Sequence, residues 1–390
     1  MDTVEDMLFK DIIGQASIKS SLIKTVQEGR ISHAQLFLGP EGSGNLAMAM
    51  AYATYISCPN RNDTDACGTC PSCQKFAKQI HPDLHIIYPI AATKDTPTST
   101  SYIETWRKEF AANPYLSLAA WNRAMDVENK QTLIAVKESE EITRKVSMMA
   151  YEAPFNFIII WMPGKMNAEA ANKMLKVLEE PPGKSLFLLV EHNDEDLLAT
   201  VASRLLTIRI PRLADQEISQ ALIDRFNCDP NEALRIAYLA DGNYSRAQEL
   251  ASDRDEENLL SDRFIQWSRI CFANQVAEMV DWVEDASGWG RERQKNFIQY
   301  AIHLIRENLF LSLGMERLVR LEDAERSFSD RFHAYISPAN AQGLLDIFSK
   351  AQRDIERNAN PRILFLDLSF EYGTLLKGKA EVKPGHVRKP

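Results

Sequence analysis

The sequence predicts an α/β domain on a largely parallel sheet, followed by helical regions, and three observations carry that prediction. Short apolar runs at 34–38, 84–88, 155–162 and 185–190, each of a length suited to a buried strand, alternate with segments of helical spacing. A Gly-rich turn at 39–44 separates the first run from a helix, making a strand, phosphate-loop, helix unit. From Asp215 onward only helical periodicity remains.

In chain order, a helix is expected over 18–28, a strand over Ala34-Gln-Leu-Phe-Leu38, and a helix over 47–56. A second strand follows at Leu84-His-Ile-Ile-Tyr88. The Ser/Thr-rich stretch 91–101 reads as loop, and residues from about 93 to 130 read as an insertion rich in aromatic residues. Tyr102, Trp106, Phe110, Tyr115 and Trp121 make that insertion either a partner surface or a packed covering. Residues 136–149 place Val136, Ile142, Val146 and Met149 at helical spacing, and 155–162 is a buried strand. Asn167 is placed to cap a helix that must stop at Pro181-Pro182, and 185–190 forms another buried strand. The strands end near Pro211. A compact helical unit then runs to about Ser252, longer helices follow, and the basic stretch 379–390, with Pro384, Gly385 and Pro390, reads as a disordered tail.

Composition sets outer bounds. At 390 residues the chain holds two or three domains, and 45% hydrophobic with 25% charged residues is the balance of a folded chain. Apolar runs such as 157–162 fall far short of the roughly 20 residues of a membrane helix. Residues 1–15 contain Asp2, Glu5, Asp6 and Asp11, the wrong chemistry for a secretory signal, so the expected location is the cytoplasm. A net charge of -9 argues against DNA binding by bulk electrostatics.

The loop Gly39-Pro40-Glu41-Gly42-Ser43-Gly44 is followed by Asn45 and Leu46. In a working phosphate loop a lysine neutralises the terminal phosphates and a Ser or Thr hydroxyl holds Mg²⁺, and Leu46 offers magnesium no ligand. Taken alone, the glycines fit a tight turn as well as an ancestral nucleotide site.

Cys58, Cys67, Cys70 and Cys73 have the spacing C-x8-C-x2-C-x2-C. Four thiolates close a tetrahedral shell and leave no position for water, so zinc here is expected to be structural. Disulfides are disfavoured in a reducing compartment, while an iron–sulfur cluster satisfies the same pattern. His81 and His85 are not needed as ligands, and Cys228 and Cys271 stand alone in apolar surroundings.

Several motifs resemble, in order, the AAA+ clamp-loader subunits of bacterial DNA polymerase III. They are Asp11-Ile-Ile-Gly-Gln15, Ser32-His-Ala34, the loop 39–44, the segment 166–182 and Ala202-Ser-Arg204. Weaker similarity continues through residues 240–247 and 358–362. The resemblance implies a first module over 1–212 with a zinc module at 57–80, a small helical lid over 213–255, and a C-terminal helical collar over 256–378. It also locates departures. Trp161 and Met162 stand where the family has the magnesium-binding and catalytic carboxylates, and Glu191 with His192 replaces small hydroxyl residues before Asn193. Those losses imply no productive ATP binding and separate the silent delta-prime kind of subunit from the gamma/tau motor, which keeps its Lys-Thr and Asp-Glu pairs.

Arg204 matches the family's Ser-Arg-Cys motif, with Leu205 in place of the cysteine. The resemblance implies that Arg204 reaches ATP held by a neighbouring subunit and acts there as an arginine finger; without it, Arg204 reads as a surface residue in an ion pair. Arg246 resembles a lid arginine. The implied partners are gamma/tau and delta subunits, with the sliding clamp and primed DNA met through the assembled complex, and no membrane. Two rivals remain, an active gamma/tau-like ATPase and a zinc-dependent DNA-binding protein.

Overall fold

The computed structural model describes residues 7–93, 98–127, 130–147, 149–252, 254–321 and 323–378, and the chain divides into two compact units, Met1–Glu249 and Leu250–Pro390. The expected tail at 379–390 lies outside the described residues. Among the described residues no helix is long and apolar enough to cross a membrane.

The first unit is built on five parallel strands: β1 (Ala34–Leu38), β2 (Leu84–Ile87), β3 (Asn156–Trp161), β4 (Ser185–Glu191) and β5 (Leu206–Arg209), in the order β2-β3-β4-β1-β5. Every residue of β1, β3 and β4 is buried, as a sheet covered on both faces demands. Alternation divides their side chains between two cores. Phe157, Ile159 and Trp161 join Leu186, Leu188 and Val190 on one face; Ile158 and Ile160 join Phe187 and Leu189 on the other. β5, at one edge of the sheet, has no comparable apolar run, with three of its four residues exposed.

One face receives α1 (Ala16–Gln27), α2 (Asn45–Ser57) and α3 (Pro71–Ala77). All 13 residues of α2 are buried, and its alternating alanines 47, 49, 51 and 53 allow close packing. The same face carries α4 (Ile103–Ala112) and α5 (Leu118–Ala124), the helices of the aromatic segment. Trp106 stacks on Tyr88 with ring centres 4.1 Å apart and meets Trp121 at 5.3 Å and Trp161 at 5.4 Å. The Trp121 indole N–H donates to the Pro89 carbonyl at 2.8 Å. Of the two readings of these aromatics, the structure therefore shows the packed covering.

The opposite face is covered by α6 (Val136–Val146) and α7 (Ala168–Glu179). Asn167 caps α7 as expected, its side chain accepting the Ala170 N–H at 2.8 Å. α6 stops short of the expected 149, and Met149 is 93% exposed. The chain turns away there because the Asp83 carboxylate collects the N–H groups of Tyr151, Glu152 and Ala153 at 2.7–2.8 Å. These donors hold the Asp83 pKa low despite burial. After a short helix α8 (Ala199–Ala202) and β5 come α9 (Asp215–Phe226), α10 (Pro230–Ala240) and α11 (Tyr244–Ser252). Up to Glu249 these helices belong to the first unit.

The second unit is helical: α12 (Arg254–Ala273), α13 (Val276–Ser287), α14 (Arg291–Ser312), α15 (Asp323–Phe332), α16 (Pro338–Glu356) and α17 (Pro361–Lys377). Trp267 of α12 lies at its core, stacked on Tyr372 of α17 at 4.4 Å and donating its indole N–H to Ser369 Oγ at 2.8 Å. This approach requires Gly373, where a Cβ would lie 2.6 Å from the backbone oxygen of Cys271. Gly373→Ala should therefore lower the stability of this unit by about 1–3 kcal/mol, read as a fall in Tm or in the denaturant midpoint of the full chain. An unchanged midpoint would contradict the close packing of α12 on α17.

Candidate functional site

The loop after β1 is tied closed from within. Gly39 donates its N–H to the Glu191 carbonyl at 3.2 Å, and Gly42 and Gly44 adopt φ of +74° and +87°, conformations that disfavour a side chain. Asn45, almost fully buried, donates its side-chain N–H groups to the carbonyls of Gly39 at 2.8 Å and Glu191 at 3.1 Å. An amide thus staples the ends of β1 and β4 together at the position where a phosphate loop presents a lysine.

The interior of the loop is filled by the protein itself. Residues 114–116, between α4 and α5, lie over it; a Cβ on Gly44 would meet the Tyr115 ring at 2.9 Å. The Tyr115 hydroxyl accepts the Ile13 N–H at 2.8 Å, and its ring stands edge-on to Tyr244 at 4.9 Å. Burial pushes the Tyr115 phenol well above its usual pKa. A cavity of about 10 Å³ remains, bounded by Gly42, Asn45, Tyr115, Trp161 and His192 among others. That is the space of one water, against the roughly 300 Å³ or more of ordinary small-molecule sites. A wider open groove of about 580 Å³ lies at the ends of β1, β4 and β5, lined by Gly39 and Pro40 at the start of the loop and by His192, Asn193 and Arg209 among others, but by neither Gly42 nor Gly44.

Trp161 ends β3 fully buried, and Met162 follows with φ of +58°. Neither supplies an oxygen, and no carboxylate lines the residual cavity among the described residues. Glu191, at the end of β4, is also buried, but its carboxylate accepts the N–H groups of Gly164 and His192, both at 2.8 Å. Burial raises its pKa, and the carboxylate serves to pin the 163–165 turn. Sequence reasoning named Tyr115 and, within a motif, Gln15, but foresaw the contact of neither; the Gln15 side-chain amide donates to the Pro211 carbonyl at 2.7 Å. The only signal for Tyr115 was its place in the aromatic segment.

The four cysteines do come together. Their Sγ atoms all lie within 4.8 Å of one another, with Cys58–Cys67 at 3.5 Å, Cys58–Cys70 at 3.9 Å and Cys67–Cys73 at 4.0 Å. Four bonds of about 2.3 Å to a tetrahedral zinc place sulfurs about 3.8 Å apart, so the set fits the ion. Backbone N–H groups of Cys67, Cys70 and Cys73 point to sulfurs at 3.4 Å. At Cys67, burial raises the thiol pKa, but donors from Cys70 and Thr69 outweigh it and bring it to about 6. His81 lies outside this set, buried against Phe76 with ring centres 4.6 Å apart; His85 is likewise outside it, its pKa lowered by burial to about 4.

Arg204 follows α8, about one-third exposed, pairing with Glu179 at the end of α7 and donating to the Thr200 carbonyl. Arg246 is buried in α11, whose first turn is tied by the Asn243 side chain accepting the Arg246 N–H at 3.1 Å. Cys228 and Cys271 are both buried, apart from the four-cysteine set.

Comparison with known proteins places this site in a family. The model described as DNA polymerase III, delta subunit matches residues 14–214, a span that includes the loop, the four cysteines, Trp161 and Arg204. DNA polymerase III subunit delta' of Bacillus subtilis is 24% identical over 237 residues, 61% of this chain and 59% of that protein. Its counterpart in Pseudomonas aeruginosa is 27% identical over 225 residues, 57% of each chain. DNA polymerase III subunit tau of Salmonella typhimurium is 22% identical over 385 residues, 96% of this chain and 51% of that protein. The chain thus spans less than two thirds of the length of these curated relatives. Because the family model covers just over half of its residues, the chain belongs to the DNA polymerase III delta-subunit family of clamp-loader proteins.

Proposed function

We propose that this chain is the ATPase-silent, delta-prime-type subunit of a bacterial DNA polymerase III clamp loader, acting as a stator that assists a neighbouring ATPase. One observation carries the reading: the phosphate loop is closed by Asn45 and filled by Tyr115, leaving about 10 Å³. Phosphoryl transfer depends on positioned cations and carboxylates around the transferring group, and Asn45, Leu46, Trp161 and Met162 supply none. A gamma/tau-like ATPase is favoured by the length of the tau match, which spans 96% of this chain, but the filled loop opposes it.

In this reading the module over 1–212 is an AAA+ domain, 213–255 its lid and 256–378 a collar joining gamma/tau and delta subunits into a ring that loads a sliding clamp on primed DNA. Exposed Val276 and Val280 on α13, and Ile363 and Phe370 on α17, support an interface on the collar. Arg204 is the residue assigned to the neighbour's ATP. A guanidinium against the γ-phosphate stabilises charge that develops in the transition state. Its pair with Glu179 is partly exposed and worth no more than about 1 kcal/mol, so exchanging the carboxylate for a phosphate is feasible. The test is DNA-stimulated ATPase activity of the reconstituted loader. Arg204→Ala should lower it about 10³-fold with assembly intact, and an unchanged rate would remove the finger role.

Cys58, Cys67, Cys70 and Cys73 would hold one Zn²⁺, which when bound cross-links the end of α2 to the start of α3. Metal analysis of the purified chain should find equimolar zinc, with Cys70→Ser losing it and loosening residues 57–80 in limited proteolysis. Iron with a visible absorption band would instead assign an iron–sulfur cluster.

A further inference from the structure

We propose that residues 114–116 are an internal ligand of the phosphate loop, and that Tyr115 locks the N-terminal turn, the loop and helices α9–α11 into one arrangement that does not depend on nucleotide. The proposal rests on the nucleotide-silent reading and gives the aromatic segment its role.

In a nucleotide-binding module the bound phosphates tie such elements together, so their relative positions change with what is bound. Here the ties are side chains. The Tyr115 hydroxyl takes the Ile13 N–H, its ring covers Gly44, and its edge contact with Tyr244 reaches α11. The Tyr244 N–H donates to the Gly42 carbonyl at 3.1 Å, and a Cβ on Gly42 would lie 1.9 Å from the Asn243 side-chain oxygen. A second strut joins the same segment to the same helix, Arg123 of α5 to Glu249 of α11 at 3.2 Å. On the other side, Arg225 of α9 donates to the Asp11 carbonyl at 3.0 Å, and a Cβ on Gly14 would lie 2.2 Å from the Glu217 carboxylate. Three of these contacts, from Ile13, Gly44 and Tyr244, meet at Tyr115 from stretches of chain far apart in sequence, and the others brace the same elements beside it. A mere cover for the sheet would need only the Trp106 and Trp121 packing; it would not need a hydroxyl aimed at Ile13 or a ring against a bare glycine.

Hydrogen exchange on the full chain, without nucleotide, reads this coupling. Tyr115→Ala should speed exchange about tenfold in 12–15, 42–46 and 244–247 together, while 67–76 and α12–α17 keep their wild-type rates. Faster exchange confined to 103–124 would overturn the proposal. Should the alanine variant fail to fold, Tyr115→Phe keeps the ring and removes only the acceptor. It should speed exchange at Ile13 several-fold and leave 42–46 unchanged; an unaltered Ile13 amide would overturn the lock. The underlying reading is checked separately in wild-type protein. Millimolar Mg-ATP should leave 42–46 unchanged, and protection there would refute both the silent reading and the nucleotide independence, whereas local-only exchange in the variant refutes the lock alone.

Discussion

Tyr115 stands over Gly44 so closely that one added carbon would meet its ring at 2.9 Å, and much of the first unit is arranged around that contact. It requires a bare glycine, a loop held open by left-handed residues and drawn shut behind by Asn45, and a segment long enough to reach over the sheet. Trp161 completes it from below. Where two carboxylates would need water and metal, an indole packs against Trp106 and extends the same apolar layer up to the loop.

Glu191 shows the same economy in a different chemistry. A buried carboxylate is costly unless it is hydrogen-bonded, and this one takes the N–H groups of Gly164 and His192. The turn after Trp161 is therefore tied to the end of β4 by hydrogen bonds within the protein. At the far end of α2 the cysteine cluster, with sulfurs at tetrahedral spacing, gathers a segment with little apolar content of its own.

Strands β1, β3 and β4 were legible because a doubly covered parallel sheet leaves long apolar runs; β5 was not, because three of its four residues are exposed and leave no such run. The capping Asn167 and the cysteine spacing carried their geometry in plain sequence. Met149 misled, since helical spacing ran on beyond the end of α6 at Val146, just before Asp83, 68–70 residues away in sequence, captures the N–H groups of Tyr151, Glu152 and Ala153. The filled loop was half legible. Asn45, Leu46, Trp161 and Met162 announced what was missing, but periodicity has no means of indicating that Tyr115, over 70 residues on, would occupy the space. Arg204 was legible as a motif, while its pairing with Glu179 depended on α7 and α8 ending side by side.

The central claim is that the nucleotide site is occupied by the chain's own residues. Equilibrium dialysis of the purified chain against labelled ATP with Mg²⁺ tests it most directly. The account predicts no saturable binding at millimolar ATP, and one equivalent of ATP bound with micromolar affinity would contradict it.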